Sequence, residues 1–193
     1  HYTYKYDGGE YARELLTGDI HTKNQKALGL PDRDGAKTFK YSLTYGAQPP
    51  KIAAQFGVSR GQAEDWFGNF WENNPALKAL KTDIEREWAT LNERYIVGLD
   101  GRLISTRSKH SLINAKFQSG GAIIMKHAMV LASSRIAEEQ YIAAGLIRYH
   151  DEEQWEANPS CAEAVGEIGV KSIVDAGKFL KLNVELDAEY KIG

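Results

Sequence analysis

Arg33, Lys37, Tyr41 and Tyr45 recur every four residues in the run RDGAKTFKYSLTYG, a spacing that predicts a helix for that segment. On a helix each step of four rises about 6 Å and drifts roughly 40°, so the four side chains form one slanting stripe. Ala36, Phe39, Leu43 and Ala47 fall on the opposite side and supply a packing face of small and apolar residues. The stripe is left to offer two cations at one end and two flat rings further along. That order suits a nucleotide: triphosphate, then sugar, then base. A solvated face with incidental four-residue pairs accounts for any one of these residues, but poorly for the ordered set.

The 193 residues, 42% hydrophobic and 26% charged, are enough to bury a sizeable core in one domain or one and a half. No apolar stretch reaches the roughly 20 residues of a membrane span, and the opening HYTYKYD lacks the apolar run of a signal peptide. The expectation is a cytoplasmic protein without a membrane partner. Cys161 is the only cysteine, which excludes an internal disulfide or a cysteine zinc site and reads as a small packed residue. The formal charge of −2 argues against a wholesale basic nucleic-acid binder, yet the charge is uneven. Arg94, Arg102, Arg107, Lys109, His110 and Lys116 meet only Asp100 within their segment, and acids dominate beyond Glu138. A local basic patch can grip phosphates while an acidic one holds cations. The start at His1 instead of Met suggests a fragment.

The remaining signals are mostly helical. HYTYKYD alternates like a strand but is too short to assign, and GGEYARELLTG reads as a short helix. Asp19 can cap a helix to about Leu28, with His21 in its first turn and Gly29 as its stop. Asp32 can cap the striped helix, which ends at Gly46 before AQPP. Ser59 and Gln62 form a capping box for a helix to about Glu72. Asn74 and Pro75 open another, whose Leu77, Leu80, Ile84, Trp88 and Leu91 follow helical spacing. YIVGLDGRLIST predicts a hairpin turning at Asp100-Gly101. A helical stretch from about Ser111 to Ala144 is interrupted at Gly120 and Gly121, which mark a bend or a close backbone approach. LIRY and EEQWE predict two short strands meeting at His150-Asp151, with Asp151 at the tip. A helix from about Pro159 to Phe179 and a strand through LNVELDAEY complete an α+β fold that is predominantly α-helical.

DIHTKNQ, RDGAKTFKYSLTYGA, GLDGR, the FQSGGAI run and YHDE occur in the order and at spacings similar to those of family A DNA polymerases. Over nearly its whole length the chain resembles these enzymes, in particular the replicases of short-tailed bacteriophages. His-Asp-Glu alone is a weak signal; its ordered combination with the helix motif is specific. The resemblance implies a template-directed DNA polymerase of viral DNA replication, acting in the bacterial host cytoplasm. Residues 1–121 are then mainly fingers and 122–193 mainly part of an antiparallel palm sheet. It implies primer-template DNA and dNTPs as partners and two Mg²⁺ ions as cofactors. Further partners are a processivity factor or the remainder of a split polymerase.

Residue by residue, the resemblance gives Arg33 and Lys37 to the incoming triphosphate, with Lys37 as the proton donor to the departing pyrophosphate. His21 adds a phosphate contact, against the plain alternative of a surface histidine near a helix start. Tyr41 belongs beside the sugar, where tyrosine in this family tends to permit 3′-deoxy nucleotides. Tyr45 and Gly46 end the helix where the templating base is presented. Asn114 and Gln118 match minor-groove and primer-end positions, whose base acceptors are nearly sequence-independent. Arg102 and Arg107 are candidate primer or template phosphate contacts, although arginines near a hairpin are as often solvated. Asp151 matches the catalytic, metal-binding carboxylate of the palm hairpin, with Glu152 beside it and His150 near the primer end.

Two-metal nucleotidyl transfer needs carboxylates on neighbouring strands, and these residues supply one such strand. In the family the other aspartate lies on a hydrophobic strand before the segment that aligns with His1. Asp7, in a glycine turn, is a poor substitute, and the thumb and exonuclease regions are missing as well. Glu153 departs from the family, which is usually apolar there. The expectation is a fragment with negligible activity alone, or a non-catalytic half that binds DNA and nucleotide. A reading from another class is a helix-turn-helix regulator built on IAAQFGVSRGQAEDWF with Gly57 in the turn. Its second helix, however, carries Glu64 and Asp65, with Arg60 and Gln62 as its only obvious base readers.

Overall fold

The tyrosine-rich start, which alternates like a strand, is instead a helical turn, α1 (Tyr4–Asp7). The Asp7 carboxylate accepts hydrogen bonds from the Gly9 and Tyr11 amides. These local bonds turn the chain directly into α2 (Glu10–Thr17), and no strand lies alongside to hold an extended start. The computed structural model describes all 193 residues, which form two compact units. One comprises residues 1–97 and 103–116, the other residues 98–102 and 117–193.

In the first unit, side-chain caps set the helix starts. Asp19 accepts from the His21 and Thr22 amides to open α3 (Ile20–Leu28). Asp32 accepts from Gly35 to open α4 (Arg33–Thr44), the striped helix. Such caps satisfy amides that have no intrahelical partner. Beyond AQPP lies α5 (Pro49–Phe56), then α6 (Arg60–Asn73), opened by Ser59 accepting from Gln62, and α7 (Pro75–Thr90). The apolar face of α4 is buried through Ala36, Phe39 and Leu43. Phe39 sits at the centre of an aromatic cluster, edge-to-face with Phe56, Trp66 and Phe70 at 5.8, 5.9 and 6.0 Å between ring centroids. Leu77, Leu80 and Ile84 bury the inner face of α7, whereas Trp88 and Leu91 are half-buried. The buried Asn74 side chain donates to the Phe70 carbonyl at 2.7 Å and to Asn24 at 3.3 Å, tying α6 to α3. Strands β1 (Tyr95–Val97) and β2 (Leu103–Ser105) pair antiparallel.

The long helix α8 (Leu112–Glu138) runs unbroken through Gly120 and Gly121, contrary to the expected interruption. Two glycines cost such a helix only about 1 kcal/mol each, too little to break 27 residues. The helix also stops before Ala144. Gln140 turns to φ +56°, and Ala143 already belongs to β3 (Ala143–Tyr149), which pairs antiparallel with β4 (Glu152–Ala157). Ile136, Cys161 and Val165 are buried together, with Tyr141, Trp155 and Ile168 packed against them, so Cys161 is the packed residue expected of it. The expected C-terminal strand is absent. After α9 (Ala162–Phe179) the tail runs irregularly along that helix, where Gly166 and Gly177 make room for Tyr190 and Leu186. The Tyr190 hydroxyl donates to Glu163 at 2.7 Å. Its alternating apolar residues meet a helix, not a neighbouring strand. The fold is α+β and predominantly helical, as expected, with two small antiparallel hairpins. No helix is long and apolar enough to cross a membrane.

Candidate functional site

Helices α3 and α4 bring His21, Arg33, Lys37 and Tyr41 together in the first unit. The Arg33 guanidinium donates to Asp19 at 2.8 Å, so one carboxylate both caps α3 and restrains a cation of α4. The Arg33 bond, with bonds from the Thr22 hydroxyl and amide, holds the Asp19 carboxyl far below its usual range. Lys37 is exposed, one turn beyond Arg33. The His21 ring stands 6.4 Å from that of Tyr41, and its Nδ1 is buried without a partner. Burial lowers the His21 pKa first, and the charges of Lys40, Arg33 and Lys37 lower it further against the opposing pull of Asp19. Burial and this positive field together favour the neutral imidazole. Lys40 escaped the sequence reasoning, although its place seven residues after Arg33 puts it on the same side of a helix.

At the far end of α4, Tyr41 and Tyr45 are 50% and 59% exposed, so these rings are presented outward and are not core. Gly46, at φ +86°, lies so close to the His110 carbonyl that a Cβ would stand 2.2 Å from it. Next to this contact is a cleft of about 250 Å³ lined by Leu43, Gly46, Phe67, Trp71, Lys109 and His110, among others. Arg107 is exposed in the loop after β2. Asn114 and Gln118 lie four residues apart on α8 and so share a side of it. The α5–α6 pair does have the helix-turn-helix outline, with Gly57 at φ +65°. Yet Arg60, its one cationic reader, is held by Glu64 at 2.8 Å.

In the second unit, Arg102 closes its own turn on Asp100, whose Oδ2 accepts from Nη2 at 2.5 Å and from Nε at 2.7 Å. Asp151 occupies the tip of the β3–β4 hairpin and is exposed. His150, at φ +55°, precedes it with its ring against Tyr149 at 4.3 Å. Glu152 follows and accepts from Gln154 at 2.9 Å. Glu153 is half-buried and accepts the Trp155 indole N–H at 3.2 Å, which satisfies a carboxylate at the position expected to be apolar. Asp151 and Glu152 are hard oxygen donors of the kind Mg²⁺ takes, one or two carboxylates completed by water and phosphate oxygens. They fit the ion in kind. No three His, Cys, Asp or Glu side chains gather into a metal cluster, and Asp7, engaged by two amides, adds no ligand.

A sequence model described as DNA polymerase family A matches residues 14–193. The chain is 35% identical over 212 residues to the DNA-directed DNA polymerase of Enterobacteria phage T3, covering 100% of this chain and 30% of the relative. It is 39% identical over 151 residues to that of Escherichia phage T7, covering 72% and 21%. The chain thus spans less than a third of the length of these relatives. Among solved structures, the POL domain of Pol1 from M. smegmatis, in complex with DNA primer-template and dNTP, matches with a TM-score of 0.72. That match covers 85% of this chain and 32% of the other at 18% identity, a likeness of fold.

Proposed function

This chain belongs to DNA polymerase family A, and on that premise we propose that the protein carrying it is a template-directed DNA polymerase of viral replication. It adds dNTPs to a primer 3′-hydroxyl. The observation that carries this reading is the face where the cations Arg33 and Lys37 converge with the His21 imidazole beside the exposed Tyr41 ring. Charge-assisted hydrogen bonds to a triphosphate are worth about 1.5–3 kcal/mol each. Arg33 releases or shares Asp19 to make its own. Lys37 carries the proton that the departing pyrophosphate takes, as a general acid. Tyr41 packs beside the sugar, and Tyr45 and Gly46 border the place of the templating base.

Residues 1–121 act mainly as fingers and 122–193 mainly as palm, a division close to that between the two compact units, although residues 98–102 and 117–121 fall with the second of them. Asn114, Gln118, Arg107 and His150 contact primer-template DNA, and Arg102 joins them when it exchanges Asp100 for a phosphate. Asp151 and Glu152 hold Mg²⁺. Bound there, the ion supplies Lewis-acid stabilisation of charge on the reacting oxygens. The solved polymerase of similar fold was captured with primer-template and dNTP, which supports both ligands here.

The test is Lys37→Ala in the full-length protein. Loss of a general acid lowers the rate by about 10²–10⁴-fold, read as single-nucleotide incorporation on a primer-template. Near-normal incorporation rejects the role given to Lys37 and, with it, the nucleotide site on α4.

A further inference from the structure

The stripe of four leaves out one cation of α4. Lys40 lies within about 20° of Arg33 around the helix and about 10 Å along it, whereas Tyr41 and Tyr45 drift away from that line. Lys40 is half-buried, and its ammonium stands 5.8 Å from the centre of the Tyr11 ring on α2. No ion pair joins Lys40 to a carboxylate of α2 or of the α3 cap, where Glu14 meets Lys23 at 3.8 Å and Asp19 meets Arg33 at 2.8 Å. Lys40 is also the cation that most depresses the His21 imidazole, ahead of Arg33 and Lys37, and its own pKa is lowered by burial.

An ammonium drawn out of water without a counter-charge destabilises the fold until an anion reaches it. The buried His21 Nδ1, which has no hydrogen-bond partner, likewise favours a ligand. Cations spread about 10 Å along a helix suit a chain of several phosphates better than a single one, with long side chains closing in from both ends.

We propose that Lys40 is a further polyphosphate-binding residue, joining His21, Arg33 and Lys37 in holding the triphosphate of an incoming nucleotide. The inference rests on the nucleotide reading of α4 given above and adds a contact to it. Stability is given up in the empty site and recovered on binding.

The experiment measures binding of inorganic tripolyphosphate and of dTTP to the 193-residue chain by calorimetry, at low and high salt. Wild type is compared with Lys40→Met, Lys40→Arg and Lys37→Ala. Methionine keeps an apolar stem over Tyr11 and removes only the charge. Lys40→Met is expected to weaken both probes about tenfold, the equivalent of about 1.4 kcal/mol. It is also expected to flatten the salt dependence and to raise the midpoint of thermal unfolding. Lys40→Arg restores affinity. Unchanged affinity and salt dependence in Lys40→Met, with or without a fall in stability, overturns the proposal by making Lys40 a packing residue. If Lys37→Ala weakens binding and Lys40→Met does not, this inference falls alone. If neither does, or if wild type binds neither probe, the nucleotide reading falls with it. Weaker binding of a single-stranded oligonucleotide by Lys40→Met, with tripolyphosphate unaffected, assigns Lys40 to the DNA backbone and also overturns the proposal.

Discussion

Gly46 and Asp19 show how single residues fix the candidate nucleotide face. Asp19 spends its two oxygens on two tasks, capping α3 through the His21 and Thr22 amides and holding the Arg33 guanidinium. The same residue therefore orders His21 and restrains a cation that the proposed triphosphate needs. Gly46 works by size. Its φ of +86° and the His110 carbonyl at 2.2 Å from any added Cβ leave room for no side chain. At Gly29 φ is +65° and nothing stands within 4 Å, so alanine there meets only the backbone penalty, about 1–2 kcal/mol. Gly46→Ala adds displacement of backbone at Lys109–Ser111 and is expected to cost more than about 3 kcal/mol. Urea unfolding of the two variants side by side checks this. Equal losses at Gly46 and Gly29 would show that the His110 contact is unimportant.

Elements α8 and α9 are joined by a charge network on Asp175. Its carboxylate accepts from Arg135 at 2.5 Å and Lys171 at 2.6 Å, and Arg135 also donates to the buried Ser172 hydroxyl at 3.0 Å. The Lys171 and Arg135 bonds depress the Asp175 carboxyl to about 2. A depressed acid contributes stability that is fully present above its ordinary pKa of 3.8 and is lost as pH falls through about 2. Partial exposure limits the contribution to about 1–2 kcal/mol. Asp175→Asn is expected to lower unfolding free energy by that amount at pH 5–8, with the difference shrinking below pH 4, mostly gone by pH 2 and absent only below it. Chemical denaturation across pH tests it; a gap undiminished between pH 6 and pH 2 rejects an ionic origin. The Lys171 pair follows an i,i+4 spacing, but the Arg135 contact was not legible in the sequence, because it stands 40 residues from Asp175. Caps were legible, since Asp19, Asp32 and Ser59 act on amides two or three residues away. So was the Asp151 turn, flanked by two strands of clear pattern. The C-terminal alternation misled for a physical reason: a strand needs a neighbour, and periodicity records a face without saying what covers it. Lys40 went unread because the four-residue stripe drifts off the line that a seven-residue step keeps.

For the whole molecule, the two compact units divide the candidate chemistry. Cations for a triphosphate lie on α4 of one, beside His21 of α3, and Asp151 and Glu152 lie at a hairpin tip of the other. Family membership was legible because motifs from both units keep their order along one chain, a signal that survives even where single elements were misread. The chain covers 30% of its phage T3 relative, and the residues present form no cluster of three metal ligands. Two-metal transfer needs carboxylates enough for two ions about 3.5–4 Å apart, more than Asp151 and Glu152 provide with Asp7 committed to backbone amides. The purified 193-residue chain is therefore expected to bind dNTPs through α4 while extending no primer in the presence of Mg²⁺, dNTPs and primer-template. A denaturing gel of primer length over hours, run beside calorimetric dNTP binding, separates the two properties. Binding without extension supports a nucleotide-holding piece whose metal site needs a carboxylate from outside these residues. Extension abolished by Asp151→Asn shows instead that the carboxylates present suffice and that the requirement for a further one is wrong.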